Sequence, residues 1–339
     1  MRYPEFLPEN GTIGTVAPSF GVYDFPYEDR YQNAVRKLNE LGHQIKEAGH
    51  IYGAYQAVSA DGRTRAEEFM EMMLNDEVDF VQSVAGGEMM MDMLPHVDFE
   101  VLKQAKPKWF MGISDNTNLV FTLPILADMA AIYGPCCGSF GMEKWYRSLK
   151  EAYQIMRGER NYQKNFPKYE PVDFERKVED PFAGFDLKEK VVYKSLDGEN
   201  HTFSGRMIGG CLDILTMLCG TRFAPVGEYL ERYRDDGFIW FLEACDLNVL
   251  GQKRGLWQLK EAGWFKYCQG IIYGRPLLGN TILDISVADA LRDNLADLNV
   301  PVIYDCDFGH VAPGWTIISG ALATFRYEDG KGKITYRFR

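Results

Sequence analysis

A serine, a carboxylate and a histidine stand at the ends of three apolar, strand-like runs of this 339-residue chain. Ser114 follows WFMGI and precedes Asp115-Asn116-Thr117, residues that can cap a helix. A hydroxyl there sits where a strand gives way to a helix N-terminus, and open backbone N–H groups and the helix dipole favour negative charge. Such a setting suits a nucleophilic serine and the oxyanion it generates. It also suits a plain helix cap, and GISD lacks the GxSxG pattern of a nucleophile elbow. Gly86-Gly87 closes the run VDFVQSVAGG. Paired glycines either form a tight turn or let a backbone N–H approach substrate, one such donor being worth roughly 3–4 kcal/mol in a transition state. Glu243 ends FIWFLE, so a carboxylate finishes a buried strand and needs a donor or water. Orienting a catalytic histidine would satisfy it, as would a salt bridge or an exposed strand end. His310 lies in DCDFGHVAP, after the strand PVIY, on a glycine-flanked loop. Imidazole titrates near neutrality, so a histidine placed there can serve as a general base.

The other four histidines fit chemistry less well. His43 and His50 flank a helix-to-strand connection, His96 sits beside Pro95 early in a helix, and His201 lies in a polar turn; structural or solvated roles suit them. Arg63 and Arg65 could hold a carboxylate, but solvated arginines at a helix start are the simpler reading. There is no HExxH and no histidine pair near a carboxylate at helical spacing, so no resident metal is expected. GTIGTVAPSFG lacks the third glycine and the strand-then-helix timing of a dinucleotide fingerprint, and no cofactor is expected either. Seven cysteines, an odd count without a CxxC pair, read as reduced thiols.

These residues need a scaffold, and the chain supplies one. With 46% hydrophobic residues and 25% charged, it can bury a large core and be folded throughout, and its length favours two domains. The net charge of −11, with lysines and arginines thinly spread, argues against a nucleic-acid polymer as partner. No apolar run reaches membrane-spanning length and the N-terminus has no export pattern, so the expectation is a cytoplasmic protein with no membrane partner. TIGTVAPS reads as a strand, Tyr27 to Leu41 as a helix, Thr64 to Leu74 as a helix capped by Asp61 or Thr64, and VDFVQSVAGG as a buried strand. LPHVDFEVLKQA is helix-like, KWFMGIS a strand, and Thr117 to Ala131 an apolar helix-compatible run with Pro124 in a kink or irregular turn. Alternation of this kind predicts a mostly parallel sheet with helices on both faces over residues 1–140. Residues 141–190, rich in charge, aromatics and proline, read as a connector or substrate loop. Residues 191–339 read as a smaller β-rich α+β domain, with helices near Gly209 to Leu218, Gly255 to Ala262 and Ser286 to Leu295 and a hairpin turning at Asp329-Gly330-Lys331-Gly332.

Several segments together resemble the LD-carboxypeptidase family of serine peptidases, in detail its microcin C immunity (MccF) branch. They are TIGTVAPS, RTRAEEFMEMMLNDEVDFVQSVAGGEMMMDMLPHVDFE, KWFMGISDNTNL, IYGP, GRMIGGCLDILTMLCGT, FIWFLEACD and DFGHVAPGWTIISGALA, in family order across nearly the whole chain. The resemblance implies a Ser-Glu-His triad of Ser114, Glu243 and His310, and oxyanion donors at the backbone amides of Gly87 and Asp115. It implies an α/β N-terminal domain bearing the serine, a β-rich C-terminal domain bearing Glu and His, an active site at their interface, and a homodimer. The implied reaction is hydrolysis of an amide through an acyl-enzyme, foremost on a microcin C-type peptidyl or aminoacyl nucleotide. The alternative substrate is the L,D-amide of a muramoyl tetrapeptide. Where LD-carboxypeptidases proper carry an Arg-Gly-Gly-Tyr-Gly turn, this chain has Ala85-Gly86-Gly87-Glu88-Met89, a departure bearing on the muropeptide reading. The stretch from Trp145 to Phe185 is similar to the MccF nucleotide loop, and Trp145, Tyr146 or Phe185 could stack on a base. A non-catalytic small-ligand binding protein and a metal- or nicotinamide-dependent enzyme are the readings of another class.

Overall fold

The structure is a computed structural model that describes residues 1–174 and 179–338; residues 175–178 of the expected connector and residue 339 lie outside the described residues. The chain forms two compact units, Met1–Arg160 with Asp173–Phe185, and Asn161–Val172 with Asp186–Arg339.

The first unit contains β1 (Thr12–Val16), α1 (Tyr27–Glu40), β2 (Gln44–Glu47), α2 (Gly62–Leu74), β3 (Phe80–Ser83), α3 (Phe99–Gln104), β4 (Trp109–Gly112), α4 (Thr117–Leu126), β5 (Ala131–Tyr133) and α5 (Arg147–Met156). Its strands pair in parallel in the order β5-β4-β3-β1-β2. Every residue of β3, β4 and β5 is buried, as parallel strands covered on both faces must be. The helices turn apolar stripes inward: Tyr31, Ala34 and Leu38 of α1, and Ala66, Phe69, Met72 and Met73 of α2, are buried. Asp61 caps α2 by accepting from the N–H groups of Arg63 and Thr64. Because β1, β3 and β4 are adjacent and parallel, the turns after them, at Ser19, Gly86-Gly87 and Ser114, open at one edge of the sheet.

The second unit contains β6 (Tyr162–Lys164), β7 (Lys168–Tyr169), β8 (Glu189–Lys190), β9 (Lys194–Ser195), β10 (His201–Cys211), α6 (Leu212–Leu218), α7 (Val226–Arg232), β11 (Phe238–Glu243), α8 (Val249–Glu261), β12 (Cys268–Gly274), α9 (Val287–Leu295), β13 (Val302–Cys306), β14 (Ile317–Ser319), β15 (Leu322–Glu328) and β16 (Lys331–Arg337). Eight strands form a mixed sheet in the order β6-β16-β15-β10-β11-β12-β13-β9. β10 does double duty: His201 to Arg206 pair antiparallel with β15, and Arg206 to Cys211 pair parallel with β11. β10, β11, β12 and β13 are mutually parallel, so Cys211, Glu243, Gly274 and Cys306 mark a common edge.

The mixed α/β class with two sheet-rich units is the one the sequence led us to expect. Three local readings are corrected. Gly209 to Cys211 finish β10 instead of starting a helix, because a Cβ on Gly209 would lie 1.8 Å from the Phe241 carbonyl oxygen of the neighbouring strand. The apolar run from Thr117 leaves the helix at Leu126, and Ala131 opens β5. In the second unit, the helix expected over Gly255 to Ala262 starts at Val249, capped by Asn248, six residues before Gly255. Among the described residues, no helix is long and apolar enough to cross a membrane.

Candidate active site

Ser114 leaves β4 in a left-handed conformation, with φ of 68°. An L-residue there is strained by about 1–3 kcal/mol, and such strain persists only where neighbours fix the chain. Here they do. The Asn116 amide donates to the carbonyls of Ile113 and Ala85, both at 2.9 Å, tying the serine turn to the turn after β3. The backbone N–H of Ser114 donates to the Tyr133 hydroxyl at the end of β5, at 3.3 Å. Gly112 makes room for this, since a Cβ there would meet Asn116 Cγ at 2.5 Å. Gly86 packs on the serine itself, where a Cβ would come within 3.0 Å of Ser114 Cβ and 3.3 Å of its Oγ.

Asp115, next in the chain, points inward and is buried. Its Oδ2 accepts from Ser19 Oγ at 2.5 Å and from the Met90 N–H at 2.8 Å, and its Oδ1 accepts from the Asn118 amide at 2.8 Å. Burial pushes its carboxyl above the ordinary range, while those donors and the nearby Arg65 pull it back. Ser19 also sits against Gly87, whose φ is 149°; a Cβ on Gly87 would lie 2.1 Å from Ser19 Oγ. The Phe20 N–H donates to the Gly86 carbonyl at 3.0 Å. Thus the turns bearing Gly87 and Asp115 are both gauged against one hydroxyl. The N–H groups of Gly87 and Asp115 donate no hydrogen bond among the described residues. Arg65 is only 2% exposed, so its reading as a solvated residue is corrected. Its guanidinium donates to the carbonyls of Ala60 (2.8 Å), Pro18 (2.7 Å) and Met89 (3.2 Å), stitching the same turns together.

In the second unit, Glu243 is fully buried at the end of β11 and accepts from His310 Nδ1–H at 2.9 Å. Two glycines create the space. A Cβ on Gly309, whose φ is 99°, would lie 2.6 Å from Glu243 Oε2, and one on Gly274 would lie 2.8 Å from Glu243 Cβ. Burial alone would draw the His310 imidazole down, but the Glu243 carboxylate and the adjacent Cys245 thiol outweigh it and hold the ring well above its ordinary pKa. The carboxylate fixes the tautomer and leaves Nε2 as the nitrogen free to accept a proton. Nε2 is buried and makes no hydrogen bond among the described residues.

The remaining candidates take structural places. His43 is buried between the Gly11 carbonyl and the Tyr153 hydroxyl, His50 pairs with Glu68, and His201 with Asp197. Trp145 donates Nε1–H to the Phe140 carbonyl at 2.6 Å and packs on Phe140 and Tyr153, whereas Tyr146 and Phe185 form a half-exposed edge-to-face pair with centroids 6.1 Å apart. Sequence reasoning missed Ser19 and Asp213. The carboxylate of Asp213 accepts from the N–H groups of Cys245 (3.0 Å), Asp246 (2.8 Å) and Leu247 (2.9 Å), shaping the turn that follows Glu243. The signal for Ser19 was its place after β1, level with Gly87 and Ser114; the signal for Asp213 was an acidic residue opening a helix after Gly-Gly-Cys.

Comparison with known proteins bears on the family and the fold. Residues 13–134 match the LD-carboxypeptidase N-terminal domain and residues 204–325 the LD-carboxypeptidase C-terminal domain. A Vibrio cholerae protein provisionally named a carboxypeptidase is 26% identical over 349 residues, covering 100% of this chain and 99% of its own. A Bacillus subtilis protein provisionally named a murein peptide carboxypeptidase is 24% identical over 331 residues, 96% of this chain and 92% of its own. The microcin C7 self-immunity protein MccF of Escherichia coli is 26% identical over 298 residues, 81% of this chain and 79% of its own. Among solved structures, an MccF-like protein from Bacillus anthracis superposes with a TM-score of 0.84 at 22% identity, covering 100% of both chains. MccF in complex with aspartyl sulfamoyl adenosine superposes with a TM-score of 0.83 at 21% identity, covering 99% of both. With both of its domains matched, the chain belongs to the LD-carboxypeptidase family of serine peptidases.

Proposed function

We propose that Ser114, Glu243 and His310 form the catalytic triad, with the backbone amides of Gly87 and Asp115 as oxyanion donors. The observation that carries this is the strained Ser114, held left-handed at the carboxyl end of β4 against Gly86. His310 takes the Ser114 proton while Glu243 stabilises the imidazolium. Ser114 attacks the amide carbonyl, and the tetrahedral oxyanion is held by the two amides. Its collapse breaks the C–N bond as His310 gives its proton to the departing amine, and the acyl-enzyme is then hydrolysed by water that His310, neutral again, activates. The N-terminal domain, residues 1–140, supplies the nucleophile, residues 141–190 the substrate loop, and residues 191–339 the Glu and His.

The substrate we infer is a microcin C-type peptidyl or aminoacyl nucleotide, cleaved in the cytoplasm by a homodimer. Support comes from the relationship to MccF, a protein of microcin self-immunity whose solved complex holds aspartyl sulfamoyl adenosine, and from the half-exposed pair of Tyr146 and Phe185, aromatic surface of the kind that can stack on a base. A second reading, L,D-cleavage of a muramoyl tetrapeptide, draws on the Bacillus subtilis relative, which aligns over 96% of this chain. Incubating the protein separately with an aspartyl sulfamoyl adenylate and a muropeptide tetrapeptide, with products read by mass, distinguishes the two. Cleavage of the nucleotide alone is expected. Ser114→Ala should lose about a millionfold in turnover; retained turnover would refute the triad.

A further inference from the structure

Beside the pair of Glu243 and His310 stands a thiol that the hydrolytic scheme does not use. Cys211 lies opposite Glu243 in the pairing of β10 with β11. One ligand atom each from Cys211, Glu243 and His310 lies within 4.8 Å of the other two. Thiol, carboxylate and imidazole are the donor set of four-coordinate zinc with one position open. Zinc bonds of 2.0–2.3 Å put tetrahedral donors roughly 3.3–3.6 Å apart, so the triangle closes with movements of about an ångström. The surroundings are prepared for it. Cys211 Sγ donates to Asp213 Oδ2 at 3.3 Å, and Asp213 is itself fixed by three backbone donors, so an outer carboxylate holds the thiol in place. His310 Nε2 is buried and makes no hydrogen bond among the described residues, so the ring keeps a nitrogen for the ion or for the outer shell.

We propose that Cys211, Glu243 and His310 form an inhibitory site for a zinc-like divalent ion. The ion would replace the hydrogen bond between His310 and Glu243 and so take the base away from catalysis. Binding itself is independent of the proposed triad; the inhibition rests on that reading.

The test is titration of the metal-free full chain with cobalt(II), reading the thiolate-to-metal charge-transfer band and the visible bands that mark tetrahedral coordination. One ion per chain with a thiolate band is expected, displaced by zinc. Both Cys211→Ser and Cys211→Ala should abolish the band and weaken zinc binding by at least the ten- to hundredfold that loss of an outer partner costs. Hydrolysis should be blocked by zinc and restored by a chelator, and each variant, measured against its own zinc-free rate, should need correspondingly more zinc. Absence of a thiolate band, its survival in both Cys211 variants, or its loss in Cys245→Ser instead would each overturn the site. Tetrahedral binding through Cys211 with undiminished hydrolysis would keep the site and overturn the triad reading.

Discussion

Ser19→Ala isolates how the proposed oxyanion donors, Gly87 and Asp115, are held. The hydroxyl removed is fully buried and donates to Asp115 Oδ2 at 2.5 Å, and it fills the space beside Gly87. Losing a hydrogen bond to a buried carboxylate costs about 1.5–3 kcal/mol. For a unit of this size that lowers the melting temperature by about 3–12 °C. The Met90 N–H and Asn118 amide still hold the carboxylate, so the turn loosens without being released. Complete loss of one oxyanion donor costs about 10²–10³ in kcat, so partial displacement should cost about 10- to 100-fold, with KM little changed because ground-state contacts remain. Ser59→Ala is the matched control. Its hydroxyl, equally buried, donates to the Ala17 carbonyl at 2.6 Å in the same region without touching Asp115. Steady-state kinetics and thermal melts of both variants decide. If Ser19→Ala melts lower yet keeps the kcat of Ser59→Ala, the hydroxyl is structural only and the reasoning fails.

Glu243→Gln should lower kcat by about ten-thousandfold, as the matching change does in a Ser-His-Asp triad. Because His310 is held above its ordinary value of 6.5, the base is neutral only above that raised pKa, and the stabilising pair is complete below about 6.5 and lost as pH rises through the raised value. Removing the carboxylate must therefore move the acid limb of kcat/KM to lower pH, and a pH–rate profile that stays in place would contradict this. Gly309→Ala puts a methyl 2.6 Å from Glu243 Oε2 at a φ of 99° and should destabilise by about 2–5 kcal/mol in chemical denaturation, with hydrolysis lost in step. Gly314→Ala, where a Cβ meets nothing nearer than 3.7 Å, should stay within about 0.5 kcal/mol.

The strand ends were legible because buried parallel strands read as unbroken apolar runs, and the residue that ends such a run is visible without coordinates. Ser114 and Glu243 stood out as candidates in this way, and His310 as a histidine on the loop after such a run; their grouping into one triad came from the family resemblance. The family resemblance implied the pairing of Glu243 with His310, but periodicity alone could not show it, since the bond depends on the register of β11, β12 and β13 and on voids at Gly274 and Gly309. Ser19 escaped notice because a serine in a Pro-Ser turn has a sufficient local explanation. Its bond to Asp115 spans 96 positions and exists only through the order β4-β3-β1. Residues 161–172 belong to the second unit by way of β6, three residues paired to β16. A strand of three residues has no periodicity to read.

Ser114 and the Glu243–His310 pair are held by opposite means. At Ser114 the functional residue itself adopts the costly backbone conformation, and its neighbours Gly86 and Gly112 give it room. Hydrogen bonds from Asn116 and to Tyr133 must then hold the turn against relaxation. At Glu243 the functional residue is an ordinary strand residue, and the positive φ falls on Gly309, where it costs little. Orientation of Ser114, the proposed nucleophile, is therefore a matter of hydrogen-bonded backbone, whereas orientation of His310, the proposed base, is a matter of packing and one ion pair. Substitutions that break hydrogen bonds around Ser114 should act on kcat before stability, since strain is released locally. Substitutions that fill space around Glu243 should act on both together, because the carboxylate has nowhere else to go.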